Sequence, residues 1–211
     1  FMNVKLVGVG AGLTYGPLGS SHHALEDIAI MRSLPDMTVL CPGDPIETRE
    51  LIKRSFEYEG PVYIRLGKNG EPKIHPDETR IEIGKSITVL EGNDLALITT
   101  SNMLETGKKW VEEWKQDGVN VSLISMPSLK PFDSSTVKNL IDKEIPIITL
   151  EEHSIIGGLG SIISQVIATT GKPVKFQQIG INDEFSHVVG GHEFQRKKFM
   201  LDKKPSLKFI E

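Results

Sequence analysis

The chain has 211 residues, 38% of them hydrophobic and 25% charged, enough to bury one sizeable core or two modest ones. Its formal net charge is -4 and Lys and Arg are scattered, so bulk electrostatics draws no polyanion and nucleic acid is not expected as a partner. No apolar run approaches the roughly 18 residues of a membrane span, "FMNVKLVGVGAG" is too short and glycine-rich for a secretory core, and the single cysteine, Cys41, excludes an internal disulfide; the expectation is a soluble cytoplasmic protein without membrane contact.

In chain order, the apolar runs "VKLVGVG" (4–10), "MTVLCP" (37–42) and "PVYIRL" (61–66) suit strands covered on both faces, as in a parallel sheet. A helix is predicted between the first two, over about 22–34, with Leu25, Ile28, Ala29 and Met31 on its apolar face. A second is predicted from Pro45 to about Tyr58, with Asp44 as its N-cap and Pro45 at its first position. Residues 67–80, "GKNGEPKIHPDETR", are polar, rich in Gly and Pro and aperiodic; they read as a linker and put a domain boundary near residue 79.

Beyond the linker come strands in "SITVLEG" and "DLALITT", then a helix over about 103–117 carrying both tryptophans and closed by Gly118. Strand sequence in "VNVSLISMPSLKP", a helix over about 133–142 started by Asp133, the strand "IPIITLEE", a helix from near Gly160 and the strand "PVKFQQIGI" follow. The alternation predicts an α/β fold in two units, with no internal repeat.

Three stretches carry candidate chemistry. Gly8, Gly10 and Gly12 in "GVGAGL" are arranged like part of a dinucleotide fingerprint, but Leu13 occupies the sixth position and Gly16, Pro17 and Gly19 interrupt any helix; a tight loop whose backbone approaches something closely fits better. In "GPLGSSHH", Ser20 or Ser21 is placed to cap the first helix, leaving His22 and His23 in a first turn that favours an anion. Adjacent helical positions diverge by about 100°, so the two histidines cannot share one site as equals, and His22 is the functional candidate. Spacing alone leaves a solvated helix entry open, and a metal site is the less favoured reading.

Arg65 ends the strand "PVYIRL", where open α/β sheets place ligand contacts and where a guanidinium can grip a phosphate. With His22 it is placed to bracket one anion, while an interdomain ion pair is the equally open alternative. In "LEEHSIIGGLGS", Glu151, Glu152 and His153 could be acid/base machinery, but capping or subunit contact is the preferred reading, and Gly157, Gly158 and Gly160 suit close helix packing.

The stretches "GVGAGLTYGPLGSSHHALEDIAIMRSLPDMTVLCPGDPIE", "GPVYIRLGKNG", "IITLEEHSIIGGLGSIISQVIA" and "IGINDEF" resemble, in order and spacing, the C-terminal portion of the transketolase family, which includes 1-deoxyxylulose-5-phosphate synthase. The resemblance implies two three-layer α/β/α units. Residues 1–78 correspond to the second half of a pyrimidine-binding domain and 79–211 to a transketolase C-terminal domain, with the tail 188–211 less familiar. It also implies a thiamine diphosphate- and Mg2+-dependent transferase that moves a ketol unit between sugar phosphates, as in the pentose phosphate pathway.

Within that pattern the residue matching His22 lies in the substrate channel and helps hold the donor sugar, and the residue matching Arg65 contacts the substrate phosphate. Leu18 stands where many transketolases carry an aspartate that reads a sugar hydroxyl. The family's cofactor-binding segments and activating glutamate precede the stretch that matches, so this chain alone is expected to be inactive and to bind no cofactor. It would work with an N-terminal subunit or region in a homodimer or heterotetramer. The alternatives are the β subunit of a 2-oxo acid dehydrogenase, against which Arg65 argues, and a non-catalytic dimerisation or regulatory module.

Overall fold

The computed structural model describes residues 2–209; residues 1, 210 and 211 lie outside the described residues. The strands are β1 (Lys5–Val9), β2 (Thr38–Leu40), β3 (Val62–Leu66), β4 (Ile87–Leu90), β5 (Leu95–Thr99), β6 (Val121–Ser125), β7 (Ser128–Lys130), β8 (Ile147–Ser154) and β9 (Phe176–Ile181). The helices are α1 (Asp27–Ser33), α2 (Pro45–Glu57), α3 (Leu104–Gln116), α4 (Ser134–Asp142), α5 (Leu159–Thr170) and α6 (His192–Lys198). None is long and apolar enough to cross a membrane.

The strands form two sheets, ordered β1-β3-β2-β7 and β4-β6-β5-β8-β9. In the first, β3 pairs in parallel with β1 (Lys5↔Val62 to Val9↔Leu66) and with β2 (Thr38↔Val62). Its fourth strand comes from beyond the linker: β7 pairs antiparallel with β2, Val39 opposite Lys130. The second sheet is parallel except for β4, which runs antiparallel on β6.

The apolar runs of β2, β5 and β6 become strands buried at every residue, with helices covering both faces of the second sheet, whereas β1, expected to be covered on both faces, lies at the edge of its sheet with Leu6, Val7 and Val9 exposed. On one face α3 lays down Trp110 and Trp114, four residues apart and so on one side of the helix, with rings edge to face at 6.1 Å. On the other, Val137, Leu140, Leu159, Ile162 and Ile163 of α4 and α5 join Ala96 and Ile98, and that same core continues into Val39, Cys41 and Tyr63 of the first sheet. The capping signals hold: Asp44 accepts from the Glu47 N–H at 2.7 Å and Asp133 from the Thr136 N–H at 3.4 Å.

Two expectations need correction. The first helix begins at Asp27 rather than near residue 22, for a reason that lies in the loop before it. The tail, for which no element was expected, forms α6.

Candidate functional site

The loop after β1 is closed at its neck. The Gly12 N–H donates to the Ala24 carbonyl at 3.2 Å, and the Ala24 N–H to the Gly12 carbonyl at 2.9 Å. Between them the chain makes two 3-10 turns, Gly16–Leu18 and Ser20–His22. With both backbone groups of Ala24 committed to the neck, the helix cannot extend back to His22, and neither Ser20 nor Ser21 caps it. The N–H groups of His22 and His23 are also spent, on the carbonyls of Gly19 and Ser20. The expected helix N-terminal anion site is therefore absent at these histidines.

His22 is exposed, with Ser21 Oγ 3.1 Å from its Nδ1. His23 turns inward: both ring nitrogens are buried and unpartnered among the described residues, and burial lowers its pKa. Gly12 is needed at the neck for two reasons. Its φ is +62°, and a Cβ there would stand 2.4 Å from Glu152 Oε1.

Arg65 is only 1% exposed and faces the junction of the two units. Its Nε donates to Asp27 Oδ2 at 2.9 Å, Nη1 to Ser101 Oγ at 3.1 Å, and Nη2 to the carbonyls of Ala24 and Glu152 at 2.8 and 3.0 Å. Tyr63 OH donates to the same Asp27 oxygen at 2.7 Å. Burial would raise the Asp27 pKa, but Arg65 and the Tyr63 hydroxyl outweigh it and hold the carboxyl below its ordinary value. The ion pair therefore lies within the first unit rather than between the two, and what Arg65 sends across the junction is hydrogen bonds, to Ser101 and to the Glu152 carbonyl. No hydrogen bond or ion pair joins Arg65 to His22 among the described residues.

The acidic cluster at the end of β8 divides its roles. Glu151 caps α5, accepting from the N–H groups of Leu159 and Gly160 at 2.7 and 2.8 Å, while burial pushes its carboxyl up to about 7. Glu152, fully buried, accepts from the Leu13 N–H at 2.7 Å, Asn102 Nδ2 at 3.1 Å, His192 Nε2 at 2.8 and 2.9 Å, and Arg196 Nε. Burial alone would raise its pKa; donation from His192 and the charge of Arg196 bring it down to about 2. Burial and then the Arg65 charge lower His153 to about 4, and its Nε2 accepts from the Ala29 N–H at 3.4 Å. Sequence reasoning missed His192 and Arg196, although their i,i+4 spacing puts them on one helix face.

At the carboxyl ends of β2 and β3 lies a cavity of about 340 Å³ whose lining includes Pro42, Asp44, Thr48, Arg49, Lys68 and Asn102. Lys68, exposed, has its ammonium 5.6 Å from the Tyr15 ring centroid, which ties this rim to the His22 loop. Asp44 also accepts from the N–H groups of Ile74 and His75 at 2.9 and 2.8 Å, fastening the linker beside the cavity. Among the described residues no group of three or more His, Cys, Asp or Glu is placed to hold a metal ion.

Comparison with known proteins places these features in a family. The family model for the transketolase pyrimidine binding domain matches residues 1–72, and that for the transketolase C-terminal domain matches residues 84–204. The chain is 39% identical over 186 residues to a putative transketolase C-terminal section of Methanocaldococcus jannaschii, covering 87% of this chain and 58% of that protein. It is 35% identical over 215 residues to an apulose-4-phosphate transketolase subunit of Phocaeicola vulgatus, covering 99% of this chain and 68% of the relative. Among solved structures it is similar to a split gene transketolase, an inactive beta4 tetramer, with a TM-score of 0.86, 34% identity, and 95% of this chain and 63% of that chain covered. Transketolase from Leishmania mexicana shares the fold, with a TM-score of 0.76 at 18% identity over 94% of this chain and 28% of that one. The chain thus spans about three fifths of the length of the curated relatives it matches.

Proposed function

We propose that this chain, which belongs to the transketolase family, is the C-terminal section of a thiamine diphosphate-dependent transferase that moves a ketol unit between sugar phosphates. The observation that carries the proposal is the cavity at the strand ends, with Arg49 and Lys68 on its rim and Lys68 reaching Tyr15 in the loop that bears His22. A cationic side chain just beyond the carboxyl end of a parallel strand, as Lys68 is after β3, suits a sugar phosphate. In this reading His22 meets the sugar and Lys68 draws the phosphate. Arg65, whose donors are committed at the junction, supports the site from beneath.

When bound, thiamine diphosphate supplies the carbanion chemistry. The residues of this chain do not fit a diphosphate and metal cradle on their own. No metal-holding cluster is present among the described residues, and Asp27, Asp44, Glu151 and Glu152 are each engaged by internal donors. Cofactor and Mg2+ are therefore assigned to a partner N-terminal section, within a homodimer or heterotetramer in the cytoplasm. The relatives that are themselves transketolase subunits, and the split-gene β tetramer, support that arrangement. So does β1, an edge strand with Leu6, Val7 and Val9 exposed, an apolar edge suited to further polypeptide.

The test is reconstitution. The chain is mixed with the N-terminal section of a transketolase relative, thiamine diphosphate and Mg2+, and transfer from a ketose phosphate to an aldose phosphate is followed. Activity that requires both polypeptides supports the proposal. A stable complex that turns over 2-oxo acids instead, or no sugar phosphate at all, overturns it.

A further inference from the structure

We propose that Glu152, clasped by His192 and Arg196 of α6, is a positioning residue that fixes the loop carrying His22. The loop is a lever whose narrow base is the Gly12–Ala24 neck, and Glu152 engages that neck directly through the Leu13 N–H at 2.7 Å. The other side of the neck is held by Arg65, which binds the Ala24 carbonyl and, through the same nitrogen, the Glu152 carbonyl. Beyond the neck the tail is the loop's second support. The Gly190 N–H reaches the Gly16 carbonyl at 3.4 Å, and a Cβ on Gly16 would stand 2.5 Å from the Gly190 carbonyl oxygen.

A buried carboxylate holds its geometry only while its donors stay in place. Arg196 is the most committed of them: its Nε binds Glu152 and its Nη2 binds the Asn102 carbonyl at 3.1 Å, which ties α6 to the start of α3. Ser186 Oγ and the Val188 carbonyl hold Gln195, one residue earlier, at 2.7 and 2.8 Å, so the strap that leads into α6 is itself fastened. Docking of α6 thereby fixes Glu152, Glu152 fixes the neck, and the neck sets where His22 stands. The consequence for substrate rests on the proposed function; the clasp does not.

The experiment is hydrogen exchange on the full chain as wild type, Arg196→Gln, Arg196→Lys, His192→Gln and Glu152→Gln. Losing one donor, or the acceptor charge of Glu152, is expected to speed exchange of the amides in residues 12–24 about tenfold, with β5 and β8 unchanged and Arg196→Lys partly rescued. In the reconstituted transferase the same variants raise KM for the ketose phosphate more than they lower kcat. Should Glu152→Gln fail to fold, Arg196→Gln and the partly exposed His192→Gln decide the matter. Unchanged exchange in folded variants overturns the clasp, and faster exchange with unchanged KM overturns its link to His22. Faster exchange in a system whose wild type transfers no ketol unit leaves the clasp standing and overturns the proposed function instead.

Discussion

Arg65 Nε and Asp27 Oδ2 lie 2.9 Å apart with the guanidinium almost completely buried, so an ion pair of the first unit stands beside the apolar core that the two units share, and Arg65 reaches the second unit through Ser101 and the Glu152 carbonyl. Removing one partner of such a pair strands the other charge and costs about 3–5 kcal/mol. Arg65→Met is therefore expected to lower unfolding stability by that order in urea titration. Arg65→Lys should recover little, since an ammonium cannot reproduce the fork to Asp27, Ser101, Ala24 and Glu152. A variant as stable as wild type, with only its KM for sugar phosphate raised, would make Arg65 a substrate contact after all.

Lys68 offers the opposite profile. It is exposed and its ammonium rests near the Tyr15 ring, so Lys68→Ala should leave the thermal midpoint within error of wild type. In the reconstituted enzyme it is expected to raise KM for the sugar phosphate about tenfold, an effect that shrinks as salt is added. An unchanged KM at low salt would move the phosphate away from this rim.

Glu47 gives the junction a pH dependence. It is fully buried, and that burial pushes its carboxyl up to about 7 from 4.5. An acid with a raised pKa favours the folded state while protonated, so this contribution is complete below about 4.5 and lost as pH rises through about 7. His75, 3.6 Å from Glu47 Oε1 and hydrogen-bonded to Asp44, is also raised; its contribution falls with rising pH in the same sense. The stability of wild type relative to Glu47→Gln should therefore fall by on the order of 2–3 kcal/mol between about pH 5 and about pH 8. Parallel urea midpoints for the two proteins across that range would contradict this.

Much of the fold was legible because its signals are local. The apolar runs around Val39, Ile64 and Ile98 became strands, and Asp44 and Asp133 cap the helices that follow them. Where the reading failed, a distant partner decides. The residues from His22 to Ala24 carry helical neighbours, yet the pairing of Ala24 with Gly12 takes the backbone groups a helix would use. The sequence "HEFQRKK" has little apolar surface to announce a helix, and α6 is anchored by a buried carboxylate 40 and 44 residues away. Arg65 could be read as a phosphate contact or an ion-pair partner because what distinguishes the two is where Asp27 and Glu152 stand in space. The glycines after β1 did announce a close approach, and Gly12 against Glu152 is that approach.

The boundary near residue 79 marks a change in sequence character, but the two sides share a sheet and a core. Strand β7 completes the first sheet against β2, the Cys41 N–H donates to the Pro127 carbonyl at 2.7 Å, and the Ser101 N–H donates to the Cys41 carbonyl at 3.0 Å. Units joined this way should unfold together. Trp110 and Trp114 both report on the second unit, whereas far-UV circular dichroism reports on both, so the two thermal transitions are expected to coincide. Leu129, buried in the shared core, provides the perturbation: Leu129→Ala should cost about 2–4 kcal/mol and shift both probes equally. A tryptophan transition that stays in place while the dichroism splits in two would mean that the first unit melts by itself, and that β7 is laid onto its edge without coupling the two.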